Sequence, residues 1–279
     1  MLAIGSAVAW ALTSVAMRPI AGHALWRSSV LRVLLCAALL LVYAWPSGVL
    51  GQVASAEPQV LGWLLGSTLC SIVIGDSLYF LAAARIGVAR ALPVASSFPL
   101  LTTLGAVTLL GETFTLTLLA GSVLVVLGVT LIGGERAPAS GRFDPLGLVL
   151  AGLAACMWAG SGLFLGPAMR SLDPVAANLV RFPIASVFFA SYVVIARPTE
   201  RLTRRLLWLT VAAAVGTLAS SMLFLGGISH AGVARGVALN ATSPVFSAVL
   251  AVLLLKEHLS RRAALGVAAS VLGTVLLVV

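Results

Sequence analysis

The sequence predicts an all-α membrane protein of ten transmembrane helices, formed by two inverted five-helix repeats. Three observations predict it. Hydrophobic residues make up 61% of the 279-residue chain and charged residues only 9%, with a mean hydropathy of +1.13. A soluble domain carries about 25% charged residues to keep its surface wet, so the solvent for most of this chain is lipid. Apolar runs such as VLGWLLGSTLCSIVIG and PVFSAVLAVLLL recur along the chain. They approach the ~20 residues that cross a bilayer as a helix, which satisfies its own backbone polar groups. Finally, the chain matches itself: GVAR stands at Gly87–Arg90 and again at Gly232–Arg235.

Cutting the apolar runs at Pro, Gly and charge clusters places helices at roughly 2–17, 28–45, 59–83, 88–110, 115–133, 146–166, 175–196, 206–228, 236–255 and 260–279. The first run starts at residue 2 without a basic stretch ahead of it, and the many later spans make it the first of them rather than a signal sequence. The second opens after Trp26-Arg27 and the third after Glu57-Pro58. The fourth lies between the first GVAR and Glu112, and the fifth ends at Gly133-Gly134. Polar residues 136–145 connect the halves. Asp-Pro pairs open the sixth and seventh helices, Arg204-Arg205 the eighth, the second GVAR the ninth, and Arg261-Arg262 the tenth.

The offset between the two GVAR strings is 145 residues. The same offset takes Trp63 to Trp208, Pro99 to Pro244, Glu112 to Glu257, Gly121 to Gly266 and Gly128 to Gly273. Upstream it drifts to 148 (Trp10 to Trp158) and 149 (Arg32 to Arg181). Order held over so long a stretch marks a duplication, with repeats at 1–135 and 146–279. Five is odd, so if every helix crosses, the second repeat starts on the opposite side. Inverted repeats of this kind are a common plan of secondary transporters, with a midplane site exposed to each side in turn.

Two strings carry a family resemblance. ALPVASSFPLLTTLGAVTLLGETFTLTLLAGSVLVVLGVTLI and GVALNATSPVFSAVLAVLLLKEHLSRRAALGVAASVLGTVLLV each run Pro in a polar stretch, apolar run, Glu, short turn and Gly-punctuated last helix. They resemble the two EamA domains of the drug/metabolite transporter superfamily. The Trp-plus-hydroxyl patterns at Trp10 and Trp158 and the early Arg32 and Arg181 fit as well. The resemblance implies ten helices, transport of small metabolites and no nucleotide hydrolysis.

The basic residues bear on orientation. Thirteen of the 17 Lys and Arg fall in the connections after helices 1, 3, 5, 7 and 9. Only Arg170 and Arg235 fall on the other side, and Arg32 and Arg181 lie within helices. The positive-inside rule then puts both termini outside, whereas members of the resembled family are usually drawn with both in the cytoplasm. The rule also accounts for the net charge of +9 without a nucleic-acid partner. Cys36, Cys70 and Cys156 lie in apolar runs without paired or metal-type spacing, and the three histidines are scattered. No metal site and no cofactor are read.

Asp76, in SIVIGDSLYF, is the acidic residue well inside a span; its repeat mate is Ser221. A carboxylate in hydrocarbon costs several kcal/mol unless paired, hydrated or protonated. It reads either as a proton carrier or substrate counter-ion, or as a carboxyl bonded between helices. Arg32 and Arg181 read either as an anion clamp or as side chains snorkelling to the interface. Pro99 and Pro244 would break helices 4 and 9 within polar stretches holding Ser96, Ser97, Asn240, Ser243 and Ser247. Paired interruptions point to a transport cavity; the alternative is a kink with hydroxyls bonded back to their own helix. Trp10 and Trp158 fall near mid-span, as cavity lining or packing. Glu112 and Glu257 precede helices 5 and 10, where a carboxylate suits free N–H groups. Gly266, Ser270 and Thr274 form a small-residue stripe for close contact, within the bundle or in a homodimer.

The expectation is a secondary active exporter of a small metabolite, such as an amino acid or related organic solute, multi-pass in a bacterial inner membrane. Its partners are that substrate and membrane lipid, and a proton or substrate gradient drives it. The alternative is proton-coupled efflux of cationic lipophilic drugs. No P-loop is present, and a membrane-embedded enzyme would need paired acids, metal-ligating histidines or a nucleophile with its base, which the spans lack.

Overall fold

The structure is a computed structural model that describes residues 1–21, 24–86, 91, 94–133, 144–199, 201–243, 245–246 and 260–278. All regular structure among them is helical. The helices are α1 (Leu2–Ala21), α2 (Leu25–Ser47), α3 (Val49–Ala54), α4 (Pro58–Thr68), a π-helical segment (Leu69–Gly75), α5 (Asp76–Ile86), α6 (Phe98–Leu109), α7 (Leu116–Gly133), α8 (Pro145–Ala168), α9 (Pro174–Ala196), α10 (Arg204–Ala231), α11 (Val233–Asn240) and α12 (Arg261–Val278). Among the described residues, six stretches are long and apolar enough to cross a membrane: 25–47, 58–79, 145–168, 174–196, 204–231 and 261–278. The exposed side chains of these helices include many Leu, Val and Ile, as a lipid-facing surface requires.

Three elements depart from the ranges drawn from sequence. The third helix is continuous but widens into the π segment at its centre. The fourth does not run unbroken from 88 to 110: a turn at Ser96–Ser97 precedes α6. The ninth begins at Val233 and is broken after Asn240 by a turn at Ala241–Thr242, with helical residues again at 243 and 245–246. Local chemistry explains the clean starts. Asp144 accepts bonds from the Leu146 and Gly147 amides at 3.0 and 3.2 Å, and Asp173 from that of Val175 at 2.8 Å. Each is an N-cap followed by Pro at the first helical position, where the missing N–H costs nothing.

The two halves pack by exchanging partners. α1 lies along α10, and its repeat counterpart α8 lies along α4, the π segment and α5; α2 pairs with α9, and α7 with α12. At the last pair the backbones touch. A Cβ on Gly266 would stand 2.6 Å from the Gly128 carbonyl oxygen, and one on Gly273 2.7 Å from that of Gly121. Gly121 and Gly128 are the repeat mates of Gly266 and Gly273, so the contact is reciprocal. Ser270 is fully buried there, its Oγ 3.5 Å from the Val125 carbonyl. The stripe on α12 is thus used inside the bundle, where backbone approach maximises dispersion contact that lipid cannot outcompete.

Candidate functional site

The π segment sets the site. A π turn carries one extra residue, which rotates everything downstream by about 100° relative to a straight α-helix. Asp76 is the first residue after it. Gly75, just before, has no room for a side chain: a Cβ there would lie 2.6 Å from the Cys70 carbonyl oxygen and 2.7 Å from Cδ1 of Trp158. The bare backbone admits the indole from α8, and Trp158 Nε1 donates to Asp76 Oδ1 at 3.0 Å. Tyr79 and Phe98 complete an aromatic cluster, with ring centroids 5.4 and 5.7 Å from that of Trp158. One helical turn along α8, Ser161 meets Ser67 at 3.0 Å.

Polar groups continue from Asp76 as a belt across four helices. Arg32 on α2 donates from Nη1 to Thr217 Oγ1 on α10 at 3.0 Å. Four residues on, one turn along the same face of α10, Ser221 donates to Asn178 Oδ1 on α9 at 2.9 Å. Arg181, one turn from Asn178, donates to the same oxygen from Nη1 and to Ser71 Oγ in the π segment from Nη2, both at 3.5 Å. Asn178 is fully buried and Arg181 is 6% exposed. Among the described residues, three donors in this belt have no partner: Arg32 Nε, Arg181 Nε and Asn178 Nδ2. Burying a charged donor without a partner is costly, and both arginines reach inward to neighbouring helices.

The structure therefore joins Asp76, Trp158, Arg32 and Arg181 in one belt and separates the rest. Trp10, the repeat mate of Trp158, is 39% exposed; the mates of Tyr79 and Phe98 are Phe224 and Ser243, so only one half carries three rings. Asn240 ends α11 and accepts a bond from Ser6 Oγ on α1 at 2.8 Å, within a cluster that also holds Ser220. Its stripe with Ser243 is interrupted by the turn at 241–242, and Ser247 and Pro244 lie outside the described residues. Ser96 is buried at the break before α6, and Pro99 sits in the first turn of α6. Pro99 therefore does not kink a helix from within: the break precedes it, and the first turn needs no N–H.

Glu112 behaves differently from the expectation that it serves the helix it precedes. Thr115 caps α7. Glu112 instead reaches into the other half: Oε1 accepts from the Val233 amide at 2.6 Å and Oε2 from that of Ala234 at 3.1 Å. Gly232 has a φ of 83°, and a Cβ there would lie 2.9 Å from Glu112 Oε1. The second GVAR is thus the glycine-led start of α11, held by a carboxylate from the first half. Glu257 and the first GVAR lie outside the described residues. Around the Glu112 clamp opens a cavity of about 600 Å³ lined by Arg170, Ser229 and Arg235 among others.

Sequence reasoning missed Asn178, Ser71, Thr217, Tyr79 and Phe98. Asn178 had a legible signal, standing one helical turn before Arg181. The others meet the belt only through packing between helices.

Comparison with known proteins agrees with this architecture. The model of the EamA-like transporter family matches residues 1–134 and again 145–279. An uncharacterized transporter of Archaeoglobus fulgidus is 30% identical over 216 residues, which is 77% of this chain and 74% of the relative. A protein of known crystal structure superposes with a TM-score of 0.83 at 20% identity, over 99% of this chain and 95% of the other; that likeness concerns the fold.

Proposed function

The chain belongs to the EamA-like transporter family, and from that premise we propose that it is a secondary active exporter of a small metabolite, an amino acid or related organic solute. It works by alternating access in a bacterial inner membrane. The observation that carries the reading is the belt of Asp76, Arg32 and Arg181 linking α2, the third helix, α9 and α10. Buried charged groups with bare donors are expensive in a membrane protein, and substrate pathways are where they recur.

In this reading each five-helix half crosses the membrane five times, the halves at 1–135 and 146–279 are inverted, and the belt lies between them near the midplane. The partner exchange of α1 with α10 and α8 with the third helix supports it, because two like halves that hold each other this way can trade roles. Asp76 carries the coupling proton or faces a substrate ammonium. The guanidiniums supply anion-binding donors, and Trp158 with its neighbouring rings covers an apolar part of the substrate.

Proteoliposomes test this directly. Labelled amino acids, organic anions and one lipophilic cation are offered with and without an imposed pH gradient, for the wild type and Asp76→Asn. The asparagine keeps an oxygen for Trp158 but holds no exchangeable charge. Gradient-driven movement of an amino acid or anion that is lost in Asp76→Asn is the expected result. Movement of the cation alone would replace this reading with drug efflux, which the rings beside Asp76 favour and the two arginines oppose. Unchanged transport in Asp76→Asn would make Asp76 structural.

A further inference from the structure

Basic side chains are divided unevenly between the two ends of the bundle. α8 starts beside Asp144, which pairs with Arg85 at 3.1 Å, and leads after 24 residues to Arg170. At 1.5 Å per residue those points lie about 36 Å apart. α9 returns from Asp173 to Arg197, and α10 runs from Arg204-Arg205 toward Gly232. Arg85, Arg197, Arg204 and Arg205 therefore stand at one end, with Arg27, which donates to the Pro198 carbonyl at 3.1 Å. Arg170 and Arg235 stand at the other, and by sequence they are the Lys and Arg of all the connections on that side.

Both line one space, the cavity of about 600 Å³ beside the Glu112 clamp. That size admits a small organic solute. The walls include Leu118, Met169, Ile228 and Val233, each under a tenth exposed. A cleft with apolar walls focuses the field of the charges that line it. Glu112 is the carboxylate among the described lining residues, and it is already committed to the amides of Val233 and Ala234. It pairs with neither arginine: the salt bridge among the described residues is that of Arg85 with Asp144. Arg170 gives one long bond, from Nη2 to the Leu110 carbonyl at 3.4 Å. Arg235 makes no hydrogen bond or ion pair among the described residues. Two guanidiniums, which only donate, and one carboxylate leave a formal charge of about +1 in the cavity. A singly charged oxyanion balances it, and a carboxylate or a phosphodiester has that charge.

We propose that this cavity is an oxyanion-binding site, in which Arg170 and Arg235 hold a singly charged carboxylate or phosphodiester. The group belongs either to a soluble solute or to a phospholipid headgroup at the helix ends. The site shares no residue with the belt around Asp76. In the transporter reading it is the mouth that an anionic solute passes, but as a statement about binding it does not rest on that reading.

The test uses the purified full-length protein in phospholipid-free maltoside detergent at constant ionic strength, with thermal unfolding followed against ligand concentration. Sodium dimethyl phosphate is the probe, and trimethyl phosphate is its neutral analogue. Dimethyl phosphate is expected to raise the unfolding temperature and trimethyl phosphate not. Arg170→Gln and Arg235→Gln should each weaken the apparent affinity by about 3- to 10-fold, and the double variant should abolish the response. Arg170 is exposed and Arg235 half-buried, so neither change threatens folding. Glu112→Gln removes the negative charge from the cavity and is expected to tighten binding, even though the clamp is weakened. A merely structural role of these side chains would not move affinity in opposite directions. Equal responses to the two phosphates, no response to either, an unchanged response in the arginine double variant, or weaker binding in Glu112→Gln would overturn the site. Nanodiscs of phosphatidylglycerol identify the source. A response that vanishes there assigns the site to a lipid headgroup, one that persists assigns it to a soluble anion, and both support it. Because the readout is binding, a failed transport assay leaves the site standing, and failed binding leaves the transporter reading standing.

Discussion

Replacing Glu112 tests whether the two halves are tied where the structure places the tie. Its carboxylate holds the amides of Val233 and Ala234 at 2.6 and 3.1 Å. Those residues are 2% and 0% exposed, although the clamp borders a cavity from which water can replace part of the lost acceptor. A buried donor left bare costs about 1–3 kcal/mol, and removal of an N-cap typically about 1 kcal/mol. With two donors of a helix start involved, Glu112→Ala is expected to cost about 3 kcal/mol. Glu112→Gln retains one acceptor oxygen and loses the charge that suits the helix dipole, so about half of that loss is expected. The assay is unfolding of purified protein in detergent, followed by circular dichroism, with Gly232→Ala alongside. That variant must both leave a positive φ and meet Glu112, so it should approach Glu112→Ala, and the double variant should cost less than the two single losses together. If Gln and Ala are equivalent, or if Ala lies within about 0.5 kcal/mol of the wild type, the clamp across the halves does not contribute as argued.

Further expectations concern packing and orientation. Gly266→Val inserts a side chain where a Cβ already meets the Gly128 carbonyl oxygen at 2.6 Å. Overpacking of this kind costs about 1–3 kcal/mol, read as a lowered unfolding midpoint, whereas the same change at Gly62, whose Cβ position is open, should lower it far less. A C-terminal reporter active only in the cytoplasm should stay dark if the thirteen basic residues on one side set the topology; a bright reporter would refute that orientation.

What was legible in the chain was whatever recurs along one dimension. Composition decided that lipid is the solvent, and the 145-residue offset revealed a duplication, because register survives in sequence even where few residues match. Asp76, Arg32 and Arg181 could be singled out because charge is rare and costly inside an apolar run. What they do to one another was not legible. Asp76 reaches Trp158 only because a π turn re-aims it and Gly75 leaves space for the ring. Arg181 meets Ser71 across 110 residues and Arg32 meets Thr217 across 185. Glu112 was legible as a helix-start carboxylate, but the helix it holds lies 121 residues away, because short-range spacing names the nearest N-terminus and packing supplied another. The sequence by itself determined the membrane class, the duplication and the rare buried charges, all of which depend on residue type and position along the chain. Only the tertiary structure decided that two arginines equivalent in sequence stand in unlike surroundings. Hydrogen bonds act through space, and the folded helices bring Arg32 to Thr217 and set Arg181 between Asn178 and Ser71.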